Sequence, residues 1–311
     1  MTASFGKEIL LSNPHISFIA ITHPFASFLK RTPPLLPKKT PLKFKRTDLT
    51  HGFRSWKSPS HSNEDRALIY RGIRYSLFAV MDGHGGDMAS EFVKANLVSV
   101  LDEQAELNKD TIAMAIAILE KRFIHLAKEL RNYSGACFVA LLILQDGSHK
   151  RFVINLGDCR LCALEIKPHG HPRRQFKALS KDHKASCPEE RRRILLAGGS
   201  VVSGRVAGVL APSRSIGDID MKVPAMDGWV IAEPEITEGI MEPGSIYVLA
   251  TDGVWDVMTN EEVLDMAEDE LEDDEDDGKS CERACEAIGK EAIARGSRDD
   301  ITAIVVHTND W

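Results

Sequence analysis

The sequence predicts a globular protein of mixed α and β structure in which strands and helices alternate irregularly. Its 311 residues are 43% hydrophobic, which supplies enough apolar material for one large core or two smaller ones. Short apolar runs indicate buried strands, and longer stretches with helical periodicity indicate amphipathic helices that pack on a sheet. The mixed fold class follows from these two hydrophobic periods.

Acidic residues stand at the ends of five predicted strands. Three apolar runs end in an acid, at Asp82, Asp158 and Asp252, and further acids stand directly before apolar runs at residues 63–65 and 299–300. So many like charges in one cluster repel one another strongly unless cations neutralise them. Oxygen ligands alone favour hard ions such as Mg²⁺ or Mn²⁺ over zinc. Asp-Gly is also an ordinary turn dipeptide, but five such sites together favour a metal centre.

Periodicity and helix-end signals predict the helices. They span 88–99, 112–130, a segment from Pro188 to the glycines at 198 and 199, a segment beginning at 259, and 281–294, which leads into a last strand at 301–307. The acidic run at 268–277 is expected to form a solvated helix end and a loop. It does not match an EF-hand calcium loop, because aligning Gly278 as the sixth position places Ala284 where the pattern needs a glutamate.

A basic tail precedes the predicted folded domain. Residues 1–47 hold one acid, Glu8, against eight lysines and arginines, and the proline-rich stretch at 32–41 separates this tail from a domain expected to span 48–311. The uncharged segment 13–29 is interrupted by proline and histidine and makes a poor membrane span. Nuclear import, secretion, organelle entry and a disordered tail stay open as interpretations, and the expected location is the cytoplasm, the nucleus or both.

Charge and cysteine content narrow the possible partners. The formal net charge of −7 argues against nucleic acid as the principal partner. We also expect the protein to be a monomer. The six cysteines show no convincing zinc spacing, so we expect them to act as small hydrophobic residues in a reducing compartment.

Six segments resemble, in order, the signature motifs of the PPM-type (type 2C) metal-dependent serine/threonine protein phosphatases. They are residues 63–65, 81–86, 155–160, 213–218, 250–256 and 296–302. Together they cover roughly residues 50–308, and six ordered segments are far more specific than one Asp-Gly-His-Gly-Gly motif. The resemblance implies an α+β fold, a four-layer αββα sandwich of two central, largely antiparallel β-sheets flanked by helices, with a dinuclear metal centre at one edge.

The resemblance also implies the metal ligands. Asp82 resembles the carboxylate that bridges two Mg²⁺ or Mn²⁺ ions, and Gly83 offers its carbonyl oxygen to one of them. The other ligands, direct or through water, are matched by Glu64, Asp252 and Asp299. Asp158 with Asp252 matches a third, weaker metal position.

Two further residues are implied to take part in catalysis. Asp65 matches a carboxylate that orients a metal-bound water, and His84 matches a proposed general acid. Expelling a serine alkoxide is difficult, so a proton donor with a pKa near neutrality is useful. A structural turn histidine is the alternative interpretation of His84. The segment 199–227 resembles the family's flap, and Arg214 and Asp218 are expected to hold it together.

The implied function is hydrolysis of phosphoserine and phosphothreonine in phosphoproteins by direct attack of a metal-bridging hydroxide. One departure is that Ser60 stands where the family usually has an arginine that clamps the substrate phosphate. Either Arg54, Lys57 or His61 substitutes for it, or phosphate binding is weak. The competing interpretation is a pseudophosphatase, a binding module with a weakened phosphate site, but the complete set of metal ligands favours an enzyme.

Overall fold

The computed structural model describes residues 49–166, 174–272 and 277–309. The predicted tail at 1–47 lies outside these ranges, and so do residues 273–276 of the acidic run. None of the described helices is both long enough and apolar enough to cross a membrane. The six cysteines are free thiols, and five of them are buried, as expected for small hydrophobic residues.

Thirteen strands and six α-helices are formed by the described residues. The strands are β1 (Leu49–Trp56), β2 (Arg66–Arg71), β3 (Tyr75–His84), β4 (Gly135–Leu144), β5 (Lys150–Leu156), β6 (Arg160–Ile166), β7 (Arg174–Ala178), β8 (Val201–Val202), β9 (Arg205–Val206), β10 (Ile216–Gly217), β11 (Glu235–Ile240), β12 (Ile246–Ala250) and β13 (Ile301–Thr308). The helices are α1 (Met88–Asp102), α2 (Lys109–Leu130), α3 (Pro188–Leu196), α4 (Asp252–Trp255), α5 (Asn260–Glu272) and α6 (Asp277–Ala294).

Two antiparallel sheets form the centre of the molecule. The first sheet has the order β1-β13-β12-β6-β7, and the second has the order β11-β5-β4-β3-β2 with the short β10 paired to β4. The small hairpin β8-β9 stands apart from both sheets and belongs to the flap segment, residues 199–227.

Alternation of side chains along the strands builds the layers. In β3, Leu77, Ala79 and Met81 pack with buried residues of α1 and α2, whereas Phe78 and Val80 pack between the two sheets. The first sheet alternates in the same way, with one face against the other sheet and the opposite face against α5 and α6. Period-two alternation of apolar residues on both faces is expected of a strand that is buried on both sides. The predicted four-layer αββα sandwich is therefore confirmed.

Local signals set the helix ends. The Asn108 side chain accepts the Thr111 N–H at 3.0 Å and so caps α2. Helix α3 begins at Pro188 as predicted. Thr259 and Glu262 form a capping box before α5, with the Thr259 N–H donating to Glu262 Oε2 at 2.8 Å. The closing helix α6 begins four residues earlier than the predicted position 281.

The strand directions bring the predicted acids to one edge of the sandwich. Because neighbouring strands are antiparallel, the carboxyl ends of β3 and β5 lie at the same edge of the second sheet as the start of β2. In the first sheet, the end of β12 lies beside the start of β13. Each of these ends carries one of the acidic groups found in the sequence.

Candidate metal centre

Three aspartates from both sheets form the centre of the site. Asp82 lies near the end of β3 opposite Cys137 of β4, Asp158 follows β5, and Asp252 begins α4 directly after β12. One carboxylate oxygen from each lies within 4.8 Å of the others. A buried sandwich edge therefore holds three carboxylates at a spacing suited to sharing cations.

The electrostatics of these aspartates favour a bound cation. Burial, and after it the charge of Asp252, raises the pKa of Asp82 well above its ordinary value. Burial and the charge of Asp158 do the same for Asp252, and burial raises the pKa of Asp158. Such carboxylates ionise readily only when a positive charge offsets their repulsion and lost hydration. Because the cluster offers only oxygen ligands, it fits hard divalent ions such as Mg²⁺ or Mn²⁺.

The cluster opens into a cleft of about 260 Å³. Glu64, Gly83, His84 and Asp299 line this cleft together with the three aspartates. The opposite wall comes from the flap segment through Arg205 and residues 210–212. All the residues predicted to ligate metal are therefore brought to one cleft.

Gly83 allows β3 to approach the loop that carries Glu64. A Cβ atom on Gly83 would lie 2.5 Å from the Glu64 carbonyl oxygen and 2.8 Å from Ser90 Oγ, so any larger residue would push the loop away. The Ser90 hydroxyl donates to the Glu64 carbonyl oxygen at 2.5 Å. This close packing fixes the position of the Glu64 backbone beside β3.

Asp300, one of the acids that the sequence places directly before β13, positions the same loop. Its carboxylate accepts the Ser58 N–H at 2.5 Å and the Glu64 N–H at 2.6 Å. The neighbouring Asp299 lines the cleft instead. The two adjacent acids thus have different tasks, and only their three-dimensional surroundings distinguish them.

Asp65 lies outside the set of described residues that line the cleft. It is 3% exposed, and its carboxylate accepts the Thr251 hydroxyl at 2.9 Å. Burial raises the pKa of Asp65 to about 7, although the bonds from Thr302 and Thr251 act in the opposite direction. Asp65 is therefore placed to support the cluster from behind.

His84 lines the cleft and is held by a residue of the flap segment. Its Nε2 lies 2.9 and 3.0 Å from the two carboxylate oxygens of Asp218. Burial alone would lower the pKa of His84, but the charge and hydrogen bond of Asp218 outweigh burial and raise it. Asp218 was expected only to hold the flap segment together, and no local sequence signal indicates its contact with His84.

Lys184 is a second residue that sequence reasoning missed. Its Nζ lies 2.6 Å from the carboxylate of Asp256, which stands at the carboxyl end of α4. Burial would lower the pKa of Lys184, but the bond to Asp256 and the charge of Asp158 raise it. Lys184 therefore places a permanent positive charge beside the carboxylate cluster.

Comparison with known proteins gives one consistent family. The sequence profile of the family described as "Protein phosphatase 2C" matches residues 51–301. The chain is 36% identical over 242 residues to "Probable protein phosphatase 2C 59" of Oryza sativa subsp. japonica, covering 76% of this chain and 67% of the relative. It is 33% identical to "Probable protein phosphatase 2C 76" of Arabidopsis thaliana, covering 83% of this chain and 59% of the relative. The chain thus spans about two thirds of the length of these relatives or less.

Solved structures share the fold. A Caenorhabditis elegans protein described as "a C.elegans sex determining protein" superposes with a TM-score of 0.72 at 25% identity, covering 83% of this chain and 64% of that one. The "serine-threonine phosphatase 2C from Toxoplasma gondii" superposes with a TM-score of 0.69 at 22% identity, covering 83% of this chain and 94% of that one. The sandwich described above is therefore the fold of these proteins.

Proposed function

The chain belongs to the protein phosphatase 2C family, and from this premise we propose that it is a metal-dependent serine/threonine protein phosphatase acting on phosphoproteins. We assign the activity to the predicted domain of residues 48–311. The observation that carries the proposal is the cluster of Asp82, Asp158 and Asp252 at the base of an open cleft. A cluster of oxygen ligands suits the binding of divalent ions that activate water toward a phosphate ester.

The residues present fit two Mg²⁺ or Mn²⁺ ions. Asp82 would bridge them, Gly83 would offer its carbonyl oxygen, and the remaining ligands would be Glu64, Asp252 and Asp299. Asp158 with Asp252 would form the third, weaker position. When bound, the ions would supply a bridging hydroxide that attacks phosphorus directly and would neutralise the phosphoryl charge.

The remaining steps are proton transfers that this chain's own side chains can serve. Asp65, whose buried carboxylate accepts the Thr251 hydroxyl at 2.9 Å, would orient a metal-bound water. His84 lines the cleft, and with Nε2 held by Asp218 its Nδ1 is left to protonate the departing serine or threonine oxygen. Asp218 then acts as a positioning residue, since it fixes the ring and favours the charged imidazolium.

A second candidate function is that of a pseudophosphatase, a phosphoprotein-binding module with little turnover. The observation that favours it is the position of Ser60, whose Oγ lies 2.7 Å from Ser58 Oγ within its own loop. Neither residue is among the described residues that line the cleft. A weakened phosphate site would lower turnover even with every metal ligand present.

Hydrolysis of a phosphothreonine peptide with and without Mn²⁺ distinguishes the two functions. The phosphatase should show metal-dependent release of phosphate that stops after chelation and returns when Mn²⁺ is added back. Full turnover after exhaustive chelation would contradict a metal mechanism. Binding of the phosphopeptide without turnover at any Mn²⁺ or Mg²⁺ concentration would favour the pseudophosphatase.

A further inference from the structure

The loop that carries Ser60 does not supply a cation to the cleft. Ser60 donates its N–H to Ser58 Oγ at 3.2 Å, and the two hydroxyl oxygens lie 2.7 Å apart. The Ser58 hydroxyl in turn donates to the Arg298 carbonyl oxygen at 2.7 Å. Ser60 is thus tied into its own loop and is not among the described residues that line the cleft.

Arg54 and Lys57, the arginine and lysine near Ser60, do not replace the missing arginine. Arg54 donates to Glu282 on α6 at 2.9 Å and to the Phe53 carbonyl oxygen at 3.0 Å. Neither Arg54 nor Lys57 is found among the described residues of the cleft wall. His61 does line the cleft, but its Nδ1 lies 2.9 Å from the Ser62 carbonyl oxygen.

Arg205 lines the cleft from the opposite side. Within the part of the chain that the structure describes, it is the only arginine or lysine in the cleft wall. Its Nη1 donates to the Val209 carbonyl oxygen at 3.0 Å, which uses one of the five N–H groups of a guanidinium. The remaining donors are available for a ligand, because the side chain is exposed.

The backbone around Arg205 gives it a defined place. Ser203 and Gly204, with φ of 50° and 78°, form the tight turn that reverses the chain from β8 to β9 directly before Arg205. The next residue, Val206, is fully buried in a small core that the flap segment shares with Ile194 of α3, and its N–H donates to the Leu210 carbonyl oxygen at 2.7 Å. A guanidinium on a short, anchored hairpin is better placed for recognition than one on an unsupported loop.

Charge in the cleft makes such a cation useful. Five carboxylates line the wall, namely Glu64, Asp82, Asp158, Asp252 and Asp299. Two divalent cations would offset four of these five negative charges, and the ammonium group of Lys184 stands beside the cluster, so the dianionic phosphate group would bring further negative charge that needs a cation. A guanidinium offsets that charge and can form two charge-assisted hydrogen bonds to phosphate oxygens.

We propose that Arg205 binds the substrate phosphate in place of the arginine that the family usually has at the position of Ser60. The proposal rests on the proposed phosphatase function. The substrate phosphate would then be bound by the flap segment and not by the β1–β2 loop. The flap segment would both face the substrate and hold its phosphate. Arg205 would act mainly in substrate binding, since the phosphate carries its negative charge before the reaction begins.

The test compares the Arg205→Ala, Arg205→Lys and Arg192→Ala variants of the full chain on a phosphothreonine peptide. Arg192 is an exposed arginine of α3 and serves as the matched control for loss of one positive charge. Arg205→Ala should lower kcat/KM by about thirtyfold, mainly through KM, because a charge-assisted bidentate contact is lost. Arg205→Lys should recover part of that loss, and Arg192→Ala should change kcat/KM less than about twofold.

Inhibition by inorganic phosphate gives a second readout that does not depend on turnover of the peptide. The inhibition constant for phosphate should rise in Arg205→Ala by a factor similar to that of KM. An active wild type with unchanged KM and phosphate inhibition in Arg205→Ala would overturn the role of Arg205 alone. Equal losses in Arg205→Ala and Arg192→Ala would overturn it as well. A wild type without metal-dependent turnover would instead contradict the proposed function.

Discussion

The carboxylate cluster and the flap segment face each other across one cleft but are supported in different ways. Asp82, Asp158 and Asp252 stand at the ends of buried strands in the two sheets. The flap segment consists of turns, the two-residue strands β8 and β9, and a small core around Val206. The cluster therefore inherits its geometry from the main hydrophobic core, whereas the flap segment depends on this small core and on polar contacts to its neighbours.

Glu190 of α3 makes the most important of these polar contacts. It is 5% exposed, and its carboxylate accepts bonds from Arg214 at 2.6 Å, Ser213 at 2.7 Å and Arg193 at 2.9 Å. Arg214 and Ser213 belong to the flap segment, so one buried carboxylate fastens that segment to α3. The catalytic centre and the substrate-facing wall are therefore supported separately. Substitutions in the carboxylate cluster should abolish turnover in a folded protein. Substitution of Glu190 should loosen one wall of the cleft.

The largest expected effect comes from the cluster. Asp82→Asn and Asp252→Asn should each lower kcat about a thousandfold, or about 4 kcal/mol of transition-state stabilisation, because each removes a charged metal ligand. Steady-state kinetics in saturating Mn²⁺ measure this loss, and circular dichroism should show an unchanged fold. Retention by either variant of more than about a tenth of the wild-type kcat would contradict the proposed ligand roles.

The next effect concerns stability and the flap's anchor. Glu190→Gln should lower the free energy of unfolding at pH 7 by about 3 kcal/mol, because it removes the charged partner of Arg193 and Arg214 from a buried site. Urea titrations followed by circular dichroism measure this change. Glu189→Gln is the matched control, since Glu189 neighbours Glu190 in α3 but forms an exposed ion pair with Lys181.

The effect of Glu190→Gln on the free energy of unfolding should depend on pH. Burial alone would raise the pKa of Glu190, but the bonds from Arg214 and Ser213 outweigh burial and lower the pKa to about 2. The nearby His183 has a lowered pKa, mainly through burial, so it adds little positive charge near neutrality. A carboxylate whose pKa is lower in the folded protein than in the unfolded chain stabilises the fold at pH values above its unfolded pKa. This stabilisation disappears as the pH falls toward 2. The stability difference between wild type and Glu190→Gln should therefore shrink between about pH 4.5 and pH 2; a constant difference would mean that packing, not charge, is responsible.

His84 joins the two regions, because it comes from β3 and is held by Asp218 of the flap segment. His84→Gln should slow a phosphopeptide about a hundredfold, or about 2.7 kcal/mol, because the serine or threonine oxygen needs a proton to leave. The loss on p-nitrophenyl phosphate should be far smaller, since its leaving group needs no proton. Equal losses on both substrates would show that His84 is a structural residue.

The difference between the carboxylate cluster and the flap segment also explains which site residues the sequence could predict. Acids at strand ends are visible in the sequence because apolar runs end at Asp82, Asp158 and Asp252. The ends of β3 and β5 lie at one edge because both strands are antiparallel to β4 between them. Asp218 and Lys184 carry no comparable local signal, and Asp300 shares the signal of Asp299 although only Asp299 lines the cleft. Their tasks follow from contacts with residues far away in the sequence, 134 positions in the case of His84 and Asp218. The sequence showed that the usual arginine is absent at Ser60, but it did not indicate that Arg205 lies on the opposite wall of the cleft.

The smallest expected effect tests whether the clamp can be returned to its usual position. Ser60 is exposed, so an arginine there costs little burial and its long side chain can extend toward the cleft. Ser60→Arg should raise kcat/KM for a phosphopeptide about tenfold, or about 1.4 kcal/mol, mainly by lowering KM. The gain should be larger in the Arg205→Ala background, because the added guanidinium then replaces a lost cation instead of joining an existing one.

Steady-state kinetics on the four combinations of the Ser60→Arg and Arg205→Ala substitutions measure this coupling directly. Independent contributions would give the same gain from Ser60→Arg in both backgrounds and would show that the two positions do not share one phosphate. Ser60→Arg could instead leave kcat/KM unchanged while Arg54→Ala or Lys57→Ala lowers it sharply. In that case Arg54 or Lys57 binds the phosphate, and the interpretation that this loop has lost its phosphate-binding residue is wrong. Because Arg54 is already paired with Glu282 and Lys57 stands outside the cleft wall, we expect those two variants to lie close to wild type.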